Sequence, residues 1–509
     1  MITYINKSEK NKNIVEKQMS LLIISFILIT FVYVINFYWK LQKYPKGPFP
    51  LPLIGNIYQI PNEKLEVWFD NLSKTYGPIF TVWAPLPCVV ITDYAHIKNA
   101  FVTQGETYTY RAHRPPESLL QPHDNTGILN SSEDNWRLQR RTSLKILRDF
   151  GMGRNLMEEQ IVKSIQEMMV QLEKSVDKKK AEIFWPIQLC VGNVINEFLF
   201  GFHYKYDDCE RFKKFVNIVD YHLRILLGKC SFSVAAFPWL RHVPIIGELG
   251  YHRIKRNIKT YQSFIEEEVE KQVEKSDGES EPENFVHAYL QQMERTEHPG
   301  LDMKNLCACV LDFWLAGMET TSNALRWHIA YMMKYPVIQE KVRKEILDVV
   351  GTSRLPSMSD KPNMPYTQAV IHEVQRHSNM VPFLGTHQSI RDTEIFGNKI
   401  PAGTNVMAQN WSVMKNDPVF VNPLNFNPNR YLLADGKTFD RAVLERTIPF
   451  SVGKRSCVGE GLARMELFLI FTALMQKYEF IANGPVDMSC NAGTVLTIKP
   501  YTCEMRKVF

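Results

Sequence analysis

No two cysteines in this 509-residue chain stand at the spacing of a zinc knuckle; the one close pair, Cys307-x-Cys309, is too tight and lies in an apolar helical run. The nine cysteines are odd in number and irregularly spread, which argues against a disulfide scaffold and for a domain facing a reducing compartment. Strong charge is missing too: 60 Lys and Arg against 54 Asp and Glu leave a net +6, too little to suggest nucleic-acid binding, and no motif for it is present. No glycine-rich nucleotide fingerprint occurs in a strand-turn-helix setting, so the chain carries no dinucleotide site of its own. No internal repeat is visible. What is abundant is apolar surface, 45% hydrophobic residues with 22% charged, enough for one large core.

The longest stretch without a charged side chain runs from residue 19 to residue 39, and its 21 residues suffice to span a bilayer as a helix. It ends in Phe37-Tyr38-Trp39, aromatics suited to a membrane interface, so we read 19–39 as a retained anchor behind a polar extension, 1–18. Met19 opens the span and is an alternative start to Met1. Lysines flank both ends, and their count does not choose an orientation. Residues 40–56 hold four prolines, Pro45, Pro48, Pro50 and Pro52, which make that stretch a stiff non-helical hinge. A catalytic domain is expected over 57–509.

One ten-residue run carries the chemistry: Phe450-Ser451-Val452-Gly453-Lys454-Arg455-Ser456-Cys457-Val458-Gly459. A cysteine entering a helix N-terminus meets the positive end of the dipole and backbone N–H donors, which favour a thiolate. Glycine lets backbone lie close to a flat ligand, and Arg455 offers a fork for a carboxylate. Together these suggest a haem held through sulfur.

Ahead of it, residues 302–335 read as one long helix ended by Pro336. Its middle, Ala316-Gly317-Met318-Glu319-Thr320-Thr321, places an acid and hydroxyls beside a glycine, poor choices for a plain core helix. Gly317 could admit dioxygen, Thr320 could bond it, and Glu319 could relay protons; the competing reading is a threonine bonding its own i−4 carbonyl. Glu373 and Arg376 share a helix face, as do Trp136 and Arg140. Residues 79–83 and 88–92 read as paired strands.

These segments resemble the animal microsomal type of the cytochrome P-450 family. The loop matches Phe-x-x-Gly-x-Arg-x-Cys-x-Gly at Phe450, Gly453, Arg455, Cys457 and Gly459, and the likeness covers residues 45–509. It implies a mainly α fold with a small β-rich region, preceded by one transmembrane helix. It implies heme b with the Cys457 thiolate as axial ligand and metal contact. Trp136, Arg140, Arg455 and His387 would serve the propionates, and Phe450 and Gly453 the cysteine loop. Glu319 and Thr320 would activate oxygen. Glu373, Arg376 and Arg430 would form a buried structural clamp, in which Asn429 replaces the usual acid. Substrate contacts would come from the regions 113–129, 381–384 and 494–496 and from the helix face near Phe313 and Ala316, with Phe313, Ala316, Phe383 and Val495 among them, and the apolar region 227–246 would dip into lipid.

The implied activity is haem-thiolate monooxygenation of a lipophilic small molecule: xenobiotic, fatty acid or sterol-like. Electrons would come from NADPH through NADPH-cytochrome reductase, with cytochrome b5 as a second candidate donor, on the cytosolic face of the endoplasmic reticulum membrane. Arg137, Arg140, Arg141, Lys145, Arg148 and Lys454 would form the docking side. The alternatives are a haem-thiolate isomerase or dehydratase needing no reductase, and a haem-thiolate sensor that turns nothing over; the intact Glu319-Thr320 pair argues against the isomerase or dehydratase.

Overall fold

The computed structural model describes every residue except 1, 62–63, 115–116, 120–122, 151–154, 227–228, 277–279, 492 and 494. Met1, Leu227 and Thr494, all part of the sequence reading, therefore lie outside the described residues.

The first helix, α1 (Ile2–Leu41), contains a 26-residue segment, Glu16–Leu41, long and apolar enough to cross a membrane. It merges the polar extension and the apolar run into one element, because no proline or glycine separates them. The end of α1 and the residues just after it pack on the catalytic domain through aromatic rings: Phe37 and, beyond the helix, Tyr44 meet Trp83 edge-on at 5.5 and 5.3 Å, and Tyr38 stacks on Phe49 at 5.2 Å. The proline-rich stretch is thus held against the domain. Asn56 accepts from the Trp83 backbone N–H at 2.8 Å and donates to the Pro48 and Phe49 carbonyls.

Trp83 ends β1 (Ile79–Trp83), which pairs antiparallel with β2 (Pro87–Ile91) in the register Phe80 to Val90. The expected pairing is present with the second strand displaced by one residue. β3 (His387–Gln388) and β4 (Asn405–Ala408) complete a mixed sheet in the order β1-β2-β4-β3, β2 and β4 running parallel. Helices otherwise dominate.

Four helices position the site: α2 (Glu133–Asp149), α3 (Phe184–Phe200), α4 (Met303–Lys334) and α6 (Glu460–Lys477), with α5 (Pro365–Ser378) beside them. α4 begins at Asp302, whose side chain caps the Asn305 N–H at 2.7 Å, and stops before Pro336, which in turn opens the next helix. Its 32 residues give roughly 48 Å, and it crosses the largest apolar core. α3 packs along it, with Trp314 Nε1 donating to Asn196 at 3.0 Å.

Candidate haem-thiolate site

The cysteine loop is folded back on itself before α6 begins. The Cys457 N–H donates to the Phe450 carbonyl at 2.9 Å and the Ser456 N–H to that of Gly453 at 3.1 Å. Ser451 and Gly453 both take left-handed φ, 65° and 81°. Gly459 is the N-cap of α6, so Cys457 stands two residues before the cap. The Gly459 N–H bonds the sulfur and lowers its pKa, as expected, but burial outweighs it and the thiol is raised above its ordinary value. The dipole argument alone therefore does not yield a free thiolate here. Cys457 keeps exposed surface as a residue although protein crowds its sulfur.

The loop's arginine is deployed differently from expectation. Arg455 donates to the carbonyls of Thr109 at 2.8 Å, Ile128 at 3.0 Å and Ser131. Three of its five N–H groups are spent on backbone, and the guanidinium lies over the Trp136 ring at 4.2 Å. It is buried, and burial with the nearby Arg111 and Arg140 depresses it to about 7. Asp312, the acid near enough to oppose this, accepts the backbone N–H groups of Ile128 at 2.6 Å and Leu129 at 3.0 Å.

This cluster tests whether a haem fits. Three guanidiniums converge, Arg455 and Arg140 without a carboxylate ion pair among the described residues, and the buried Trp136 Nε1–H has no acceptor. Cations and donors gathered without a matching anion suit the carboxylates of a dianionic group. Arg140 reaches Ser456 at 3.5 Å and feels the Cys457 sulfur, so the donors and the thiol share one place.

His387 belongs to it as well. It sits on β3, buried, stacked on Phe101 at 4.0 Å, with Nδ1–H donating to the Tyr108 carbonyl at 2.6 Å. Burial, with Arg111 and Arg455, keeps its pKa well below normal. Its Nε2 then carries a lone pair; donating to a carboxylate would need a second proton, which the guanidiniums oppose and an anion would favour.

A narrow cleft lies between α4, α5 and α6, lined among others by Thr320, Ala324, Val381, Phe450, Ala463 and Leu467. Thr320 Oγ1 donates to the Ala316 carbonyl at 2.6 Å, the competing reading of that residue, and still presents lone pairs toward the cleft it lines. Glu319 is turned the other way: Gln188 of α3 donates to it at 3.4 Å, and Arg326 donates to Gln188. Gly317 does not serve the cleft. A Cβ there would lie 2.6 Å from Ile195 on α3, so the glycine admits a neighbouring helix rather than dioxygen.

The substrate expectations divide. Ala316 is one helical turn from Thr320 and partly exposed. Phe313 instead packs edge-on against Phe198 and Phe285, and Phe383 edge-on against Phe69, so both belong to core clusters. Val495 is partly exposed beside Leu496, whose carbonyl accepts from Asn323 at 3.1 Å and Trp327 at 3.2 Å.

The clamp is assembled and buried. Arg376 makes two bonds to Glu373, at 2.8 and 2.9 Å, and Arg430 adds one at 3.2 Å. Asn429 is exposed and its side chain takes no part, so the departure noted in the sequence does not weaken the charge arrangement. Sequence reasoning missed Arg111 and Asp312. Arg111 stands in an extended segment with no motif. Asp312 left a signal, an acid inside the apolar run Cys309-Val310-Leu311-Asp312-Phe313-Trp314.

The Cytochrome P450 family profile matches residues 45–505. Cytochrome P450 2M1 of Oncorhynchus mykiss is 35% identical over 497 residues, 95% of this chain and 96% of that protein. Cytochrome P450 2C3 of Oryctolagus cuniculus is 36% identical over 471 residues, 90% and 93% of the two chains. Cytochrome P450 2H1 of Gallus gallus is 37% identical over 451 residues, 86% and 87%.

Proposed function

Since this chain belongs to the cytochrome P450 family, whose members are haem-thiolate monooxygenases, we propose that it inserts one oxygen atom from O2 into a lipophilic small molecule, with electrons from NADPH delivered by a separate reductase. The observation that carries this reading is the gathering of Arg455, Arg140 and the acceptor-free Trp136 Nε1–H beside Cys457, with no carboxylate ion pair to either arginine among the described residues, while Phe450 of the same loop lines a cleft together with Thr320.

Cys457 would supply the axial sulfur; Arg455, Arg140, Arg111 and Trp136 would hold the propionates, with His387 adjoining. The haem, when bound, supplies the oxygen chemistry. The protein's own part is to exclude water, orient the substrate and manage protons. Thr320 would hold a proton at the cleft through its hydroxyl. Glu319 would exchange protons after leaving Gln188, a side-chain rotation within α4. Metal binding would favour the thiolate that burial alone disfavours.

The docking side for the reductase would be the basic face of α2. Arg137 and Lys454 already share Glu106, at 3.1 Å each, which leaves Arg141, Lys145 and Arg148 as the more available charges. Cytochrome b5 would compete there. The Glu16–Leu41 segment would anchor the protein in the endoplasmic reticulum membrane with the catalytic domain cytosolic. Trp239 and Ile245, 64% and 74% exposed, would touch the lipid surface through which apolar substrates arrive.

The test is spectroscopic. The ferrous-CO form should show the red-shifted Soret band of sulfur ligation, and Cys457→Ala should lose it. NADPH consumption with reductase present, coupled to product from a lipophilic compound, completes the reading; a retained band in Cys457→Ala would refute the ligand.

A further inference from the structure

We infer that the end of the cleft marked by His328, Gln375 and Asn410 is a water-binding site, whose ordered water lies against the far rim of the haem and lowers its reduction potential. This rests on the haem-thiolate reading.

Three elements supply the site. His328 is on α4, two turns beyond Thr320; Gln375 is on α5; Asn410 opens a short helix, Asn410–Asn416. All three line the cleft together with Thr320 and Phe450. His328 and Asn410 are fully buried, and Gln375 is 8% exposed. Each holds a buried atom that no protein group bonds among the described residues: His328 Nε2, Gln375 Oε1 and Asn410 Oδ1.

These atoms are acceptors. Asn410 Nδ2 donates to the Ile448 carbonyl at 3.0 Å, which sets its oxygen on the other side. His328 Nδ1–H donates to the Ala324 carbonyl at 2.6 Å, and the ring packs on Phe471 at 5.2 Å. The Ala324 and Ile371 carbonyls favour a second proton, but burial outweighs them and holds the pKa down at about 4. Nε2 is therefore a lone pair at neutral pH. The hydroxyls of Thr320 and Ser378 line the same cleft and reach none of the three.

Buried acceptors without donors are costly, and three at one cleft need a ligand that brings hydrogens. The haem itself does not bring them. The cation cradle stands at the level of Asp312, whose carboxylate takes the Ile128 N–H while Arg455 holds the Ile128 carbonyl. His328 is sixteen residues further along α4, roughly 24 Å. With its carboxylates drawn to the cradle, a haem would turn its methyl and vinyl rim toward the acceptors, and those groups donate nothing. Water fits, because it is small, donates twice and can bridge two acceptors. Its orientation sets the sign of the effect. Water that gives its hydrogens to the wall turns its oxygen toward the rim, and that negative end favours ferric over ferrous iron.

The full-length, haem-loaded protein gives the test in two arms. Its crystal structure should show at least two ordered waters within hydrogen-bond distance of His328 Nε2, Gln375 Oε1 or Asn410 Oδ1. Acceptors paired instead with protein donors, or no density beside them, would overturn the site. Spectroelectrochemical titration should show a raised midpoint in Gln375→Leu and Asn410→Leu, with the sulfur-ligation Soret band kept. The ferric-to-ferrous ratio at a fixed poise should fall about tenfold, ~59 mV for one electron. Gln375→Asn keeps an acceptor and should stay near the parent; a shift equal to that of Gln375→Leu would reveal a packing effect and overturn the tuning. An unchanged midpoint in folded Gln375→Leu would do the same, as would loss of fold in both leucine variants. A parent without the sulfur-ligation band would sink the haem-thiolate reading itself, whereas a dry site with the band present sinks only this inference.

Discussion

A methyl group placed on Gly453 would lie 1.8 Å from the carbonyl oxygen of Phe101, inside contact distance with an atom that cannot swing away. This pair seats the cysteine loop on the segment that also carries His387's stacking partner. Gly453→Ala should push the loop off its seat and add about 1–2 kcal/mol of backbone strain from the left-handed φ. The expected result is a lower thermal midpoint and a diminished ferrous-CO Soret band; an unchanged band would mean that the loop tolerates displacement.

Arg455→Lys keeps a positive charge and loses the fork. It should leave the protein folded and speed haem transfer to an acceptor such as apomyoglobin by roughly tenfold, the effect of about one lost charge-assisted hydrogen bond. Stopped-flow transfer rates would measure it.

Thr320→Ala removes the hydroxyl that bonds the Ala316 carbonyl. If that bond were the residue's whole role, alanine would stabilise the helix slightly and leave turnover alone. The expected outcome is continued NADPH consumption, more peroxide, and product per NADPH reduced roughly tenfold or more.

The clamp gives a contrast. Arg376→Ala takes the two-bond partner from the fully buried Glu373 carboxylate, leaving it Arg430 and the Asn427 N–H, and should cost about 3 kcal/mol, seen as loss of soluble holoprotein. Asn429→Glu changes an exposed side chain and should shift stability by no more than ~0.5 kcal/mol.

His377 accepts or donates at both ring nitrogens, to Tyr331 at 2.8 Å and Leu424 at 2.9 Å, and burial beside Lys415 lowers its pKa to about 3. The unfolded chain takes up a proton near pH 6.5 while the folded form does not, so stability should fall as pH drops from about 6.5 toward 3. His377→Gln should flatten thermal midpoints over that window.

The long helix, the first strand pair, the Glu373–Arg376 face and the cysteine loop were legible because each is written in local sequence: a terminating Pro336, runs of β-branched residues, an i to i+3 spacing, fixed glycines. Arg455's grip on three carbonyls was not, since nothing near residue 455 announces a segment more than three hundred positions earlier. Gly317 misled for the same reason. A glycine in a helix shows that something comes close, and only packing tells that it is Ile195. Phe313 is ambiguous in sequence, because an aromatic near Thr320 fits both the core and the cleft, and only packing shows its ring against Phe198 and Phe285.

The cradle's parts have a birth order. Thr109, Ile128, Ser131, Trp136 and Arg140 leave the ribosome early, while Arg455 and Cys457 are among the last residues made. Until they emerge, the carbonyl nest has no guanidinium to close it and there is no thiol to offer iron. On the proposed reading haem capture would be a closing act of biosynthesis, and a chain truncated before residue 455 should be an apoprotein that starves of cofactor however much haem the cell supplies.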